Sequence, residues 1–171
     1  MSRRTSYVKV GLTEPINMIV KDFMMADFDV EFTEIQRNLV SLCANAVSDK
    51  NVKAIYVFVG LSKVMKTFYF FYRTKEGIQS SLEVLGDKDL CFRLLDSGMV
   101  IVRRIAPLCI DNGMPIPTEI KMVYQMEQGT FDVDVAYDTN PFETTNGEYY
   151  DPFDKWFEDE DQKWITSRAM V

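Results

Sequence analysis

Two groups of residues in this chain have types and spacings that could do chemistry. Glu119 and Lys121 stand two apart in a stretch of strand-like alternation, and Asp132, Asp134 and Asp138 follow at steps of two and four. A strand-borne Glu-x-Lys close to a further carboxylate can hold magnesium and orient water at a phosphodiester. The same residues have a plainer reading, in which Lys121 relieves repulsion among carboxylates on a solvated hairpin face. The plainer reading is favoured, because an acidic surround repels a nucleic-acid substrate. The second group is Asp151, Asp154, Glu158 and Asp159, continued by Glu160 and Asp161. Acids near a helix N-terminus are favourable, which accounts for Asp151 and Asp154 but not for four consecutive acids from Glu158. Tyr149, Tyr150, Trp156 and Trp164 are interleaved with these charges. Aromatic anchors inside a charged rim are the usual composition of a protein interface, and core packing of the same rings is the alternative.

The chain contains no histidine, which removes Ser-His-Asp and Cys-His nucleophilic sites and most zinc sites. Neither a phosphate-binding loop nor a dinucleotide-type glycine cluster occurs. No catalytic residue, metal ligand or cofactor is therefore expected. The net charge of −7 is unevenly placed: residues 129–171 hold three basic and eleven acidic side chains, net −8, and residues 1–128 are close to neutral. An acidic lobe repels nucleic acid and anionic lipid and attracts a basic protein. The expected partner-binding residues are Asp132, Asp134, Asp138, Asp151, Asp154, Trp156, Glu158 and Asp159.

The elements that must position these residues begin with a hairpin over Pro117–Asp138. Ile120, Met122, Tyr124 and Met126 form one face of its first strand, and Phe131, Val133, Val135 and Tyr137 one face of its second. Matching apolar to apolar requires a two- or four-residue connection around Gly129. Taking Gln128 and Gly129 as a two-residue turn sets Met126 opposite Phe131 and Tyr124 opposite Val133. Upstream, the spacing of Phe32, Ile35, Leu39, Cys43 and Ala46 predicts a helix over Val30–Ser48. Ala54–Val59 and Lys66–Arg73 read as buried strands. Ile78–Val84 alternates as a third strand, with a short helix as the competing reading. Asp87 can cap a helix over Lys88–Cys109, weakened at Gly98 and Pro107. Downstream of the hairpin, Asp151-Pro152 opens a last helix.

The expected fold is therefore α+β: a single domain with a mainly antiparallel β-sheet packed with three helices. Residues 29–171 form that domain, and residues 1–28, which carry little periodic pattern, form an N-terminal extension. A hydrophobic fraction of 47 % excludes disorder over most of the chain. Cys43, Cys91 and Cys109 are odd in number and widely spaced, as buried free thiols in a reducing cytoplasm are. The apolar run Ile16–Val20 is too short for a secretory signal and Ala54–Leu61 too short for a membrane span. A soluble cytoplasmic protein is expected.

On these residues the sequence is similar to the YezG-like immunity (antitoxin) family, small bacterial proteins encoded beside secreted polymorphic toxins. The resemblance covers roughly Val30–Trp164 and rests on the order of elements and on local patterns: IYVFVG followed by TFYFFYR, the strand PTEIKMVY, and FDVDVAYD leading to the Trp156 segment. It implies a single α+β domain without enzymatic activity that binds the C-terminal nuclease domain of its cognate toxin in the producing cell. The partner-binding residues named above rest on charge, not on the resemblance. An acidic adaptor module and, more remotely, a magnesium-dependent nuclease are the other function classes.

Overall fold

The structure, a computed structural model, describes residues 16–63, 65–137 and 151–170, with side chains from Asp27 onward. In chain order the elements are α1 (Ile16–Asn45), β1 (Ala54–Leu61), β2 (Lys66–Arg73), β3 (Ile78–Ser80), α2 (Ser81–Leu85), α3 (Lys88–Val102), α4 (Ile105–Asp111), β4 (Glu119–Gln125), β5 (Thr130–Ala136) and α5 (Pro152–Ala169). The fold is α+β. Its five strands make one antiparallel sheet in the order β3-β2-β1-β4-β5.

The central strand β1 is buried along its whole length because both of its faces are covered. Ile55, Val57, Val59 and Leu61 point into the larger core, where they meet Ile35, Leu39 and Cys43 of α1, Leu94 and Val102 of α3, and Ile105 and Cys109 of α4. Ala54, Tyr56 and Phe58 point the other way, into a smaller aromatic core closed by α5. A strand covered on both sides reads as a continuous apolar run. IYVFV is that run.

Helices form five segments among the described residues, not three. Two of the extra boundaries have local causes. Ser80 and Glu83 make a capping box, the Ser80 hydroxyl accepting from the Glu83 N–H while the Glu83 carboxylate accepts from the Ser80 N–H, so the third strand stops at Ser80 and α2 begins. Pro107 has no N–H for the carbonyl of Arg103 and its ring would collide with it, so α3 ends at Val102 and Pro107 sits in the first turn of α4. Gly98 plays a part other than helix weakening: a Cβ there would lie 2.1 Å from the Phe68 ring, so the missing side chain lets α3 close onto β2.

The first helix starts at Ile16 rather than Val30, so the boundary expected at residue 28 falls inside it; Phe28 is already buried in the larger core and stacks on Phe32. The hairpin parity holds, but the connection has four residues, Met126 to Gly129, and the register shifts by two. Tyr124 faces Phe131, Met122 faces Val133 and Ile120 faces Val135. Gly129, with φ 64°, takes the left-handed conformation that closes this turn, and its N–H donates to the Gln125 carbonyl at 2.8 Å.

Candidate functional site

The sheet face that carries α5 also carries the carboxylates of the hairpin. Residues alternate across a strand, so Glu119, Lys121, Val123 and, on β5, Asp132 and Asp134 lie on that face, while Ile120, Met122, Phe131 and Val135 turn toward the larger core. Asp132, Val133 and Asp134 are all exposed, with β5 at the rim of the sheet. Lys121 stands opposite Asp134, forms an ion pair with Glu119 at 2.8 Å, and lies over the Trp156 ring.

Asp151 caps α5, its Oδ1 accepting from the Phe153 N–H at 2.9 Å, with Pro152 at the first helical position. Phe153, Trp156, Phe157 and Trp164 then recur at helical spacing and dock onto the sheet. Trp156 meets Tyr56 edge-on and Phe71 at 5.1 Å between centroids, and only 8 % of it is exposed. Its expected role as an interface anchor is therefore corrected: Trp156 is a core residue, because Tyr56, Phe58 and Phe71 give the ring more apolar contact than a rim position could. Glu160 lies on the same inner side and takes a hydrogen bond from the Tyr56 hydroxyl, whose acidity is lowered by burial first and by the Glu160 charge second. Glu160 also pairs with Lys163 at 2.6 Å.

The remaining acids divide between two flanks of α5. Asp154 borders a cleft of about 240 Å³ at the β2–β3 margin, lined also by Tyr69, Ser80, Leu95 and Phe157. Residues three and four apart share a helix flank, so Glu158 and Asp161 lie on the same side as Asp154. Burial raises the Asp154 carboxyl above the ordinary range, and the charges of Asp151 and Glu158 raise it further. Asp159 instead pairs with Lys155 at 3.3 Å. The sequence suggests one acidic face; the structure has two patches. Asp154 lines the cleft beside β2, with Asp151 and Glu158 three and four residues away along the same flank of α5, and Asp132 and Asp134 sit on β5, three strand spacings from β2, roughly 14 Å. Asp138 lies outside the described residues.

Sequence reasoning missed the cleft and the exposed apolar residues near the acids, Tyr69, Val133 and Tyr137. Tyr69 packs on Phe153 of α5 at 5.0 Å between ring centroids yet stays 37 % exposed, which the aromatic run of β2 does not by itself reveal. Among the described residues no group of three or more His, Cys, Asp or Glu is placed to hold a metal ion. Also among them, no helix is long and apolar enough to cross a membrane. The three cysteines are free and buried. No protein-family model matches the chain, and neither does any curated protein.

Proposed function

We propose that this protein is an immunity protein: it binds and neutralises the basic nuclease domain of a cognate bacterial toxin, without catalysis of its own, in the cytoplasm of the producing cell. The observation that carries the reading is the placement of Asp151, Asp154 and Glu158 along one flank of α5, with Asp154 in the cleft lining, where burial first and the charges of Asp151 and Glu158 second raise its carboxyl. The cap made by Asp151 stabilises α5, but the repulsion that Asp151 and Glu158 add at Asp154 does not, and a basic partner relieves it. Nucleases present positive clefts to phosphate, and an acidic surface with exposed apolar residues beside it, here Tyr69 and the cleft lining, fits such a cleft. The similarity to YezG-like proteins supports the same partner class, and three reduced, buried thiols support a reducing compartment. The test is co-expression with the nuclease domain of the toxin encoded beside this gene. Cells should survive the nuclease only when this protein is present, and survival that is indifferent to it overturns the reading.

A further inference from the structure

The rim strand β5 offers a second kind of contact, one made by the backbone. Three bonds fix which way its peptide groups point. The Met126 N–H donates to the Lys53 carbonyl at 2.9 Å and the Leu61 N–H donates to the Thr118 carbonyl at 2.8 Å, so the Met126 N–H and the Thr118 carbonyl, at either end of β4, face β1, while the Thr118 N–H, just before the strand, donates to the Ala136 carbonyl of β5 at 2.8 Å. Peptide groups alternate sides along an antiparallel strand. Glu119, Lys121, Val123 and Gln125 therefore direct theirs at β5, where their register partners are Ala136, Asp134, Asp132 and Thr130. The N–H and C=O groups of Phe131, Val133 and Val135 consequently point away from the sheet.

An edge of this kind templates pairing with another strand, and side-chain charge decides which strand. A second copy of this chain is a poor occupant. Antiparallel pairing centred on Val133 sets each Asp132 opposite an Asp134, and centring on either aspartate sets it opposite itself; like charges directly opposite are destabilising. A strand with Lys or Arg at alternate positions is a good occupant. Asp132 and Asp134 would sit at the closer, non-hydrogen-bonded pairs, about 4.5 Å between Cα atoms, where cross-strand ion pairs form. On the opposite face the occupant's apolar side chains would cover Val133, which is 37 % exposed.

We infer that β5 accepts an extended segment of the basic partner as a sixth, antiparallel strand, through the peptide groups of Phe131, Val133 and Val135 and through ion pairs to Asp132 and Asp134. The inference rests on the reading of the protein as a binder of a basic domain and adds the mode of binding. It is tested on the full chain with a short peptide alternating lysine and valine, by residue-resolved amide hydrogen exchange. The expected result is a slowing of about tenfold or more at Phe131, Val133 and Val135. A twin peptide N-methylated on its pairing edge should produce no slowing, and Asp132→Lys with Asp134→Lys should abolish it. Val133→Pro removes an N–H that the β4–β5 ladder does not use, so it should block the peptide while leaving the circular dichroism spectrum unchanged. Slowing by the N-methylated twin, equal slowing by a glutamate and valine peptide, or no slowing at these three amides overturns strand addition. A basic nuclease domain that binds while the three amides exchange freely overturns strand addition alone and leaves the binding reading standing.

Discussion

Lys121 Nζ lies 5.7 Å from the centre of the Trp156 ring, and so couples the hairpin to α5. The ring supplies the core of the aromatic layer, and the ammonium, held also by Glu119, keeps positive charge among the carboxylates on that sheet face. Burial of a tryptophan in such a layer is a matter of stability before it is one of recognition. Trp156→Ala should cost about 3–5 kcal/mol, the usual range for a buried aromatic. Urea unfolding checks it; a loss well under 1 kcal/mol would return the ring to the surface.

Gly98 and Phe68 make a tighter relationship. Because a Cβ at residue 98 falls 2.1 Å from the Phe68 ring, Gly98→Ala should destabilise by roughly 1–3 kcal/mol even though alanine favours helix. Adding Phe68→Leu should recover part of that loss. A double-mutant cycle measures the coupling, and additivity would contradict the contact.

Much of the fold can be read from period alone. β1, β2 and the hairpin declare themselves by β-branched and aromatic runs, and the Asp151-Pro152 start of α5 by capping chemistry. What could not be read depends on contacts between distant residues. The register slip arises because parity admits two loop lengths and only the paired strands choose between them. Gly98 looks like a helix defect until Phe68 is placed against it. Of the candidate site, the residue identities were legible but their division was not: a charge count along the chain cannot show that α5 separates Asp154 from Asp134.

Acid behaviour should differ at two carboxylates of opposite sign. Glu83 accepts from the Ser80 hydroxyl and N–H, which hold its carboxyl below the usual range. Its stabilisation is therefore present above the unfolded value, about 4.3, and fades as pH falls toward the folded one. Asp154 is raised, so its charge opposes folding above its folded value and the penalty vanishes on protonation. Asp154→Asn should stabilise by roughly 0.2–0.5 kcal/mol at neutral pH and by nothing at pH 3, by the size of like-charge helix pairs. Ser80→Ala, by contrast, should cost about 1 kcal/mol at neutral pH and less in acid. Thermal melts across the acid range distinguish the two; parallel curves would contradict both.

The aspartates of β5 should also keep copies apart. Asp132→Val combined with Asp134→Val removes the like-charge pairs and leaves an apolar rim strand, so self-association by sedimentation should strengthen at least about tenfold, the effect of about 1.4 kcal/mol. An unchanged sedimentation coefficient at high concentration would contradict the role given to those charges.

In the function proposed for this protein, the acidic patches are the surface that a basic partner meets. The most direct measurement is the association rate with the cognate nuclease domain as ionic strength is raised, for the natural chain and for Asp132→Lys, Asp134→Lys and Asp154→Lys combined. Opposed charges steer encounter, and salt screens them over about 8 Å at physiological ionic strength. The natural chain should associate fast at low salt and slow steeply as salt rises, while the triple variant, still folded, should start slow and respond little. A tight complex that forms at the same rate with either chain, at every salt concentration, would contradict the account and move the interface to the charge-balanced part of the molecule.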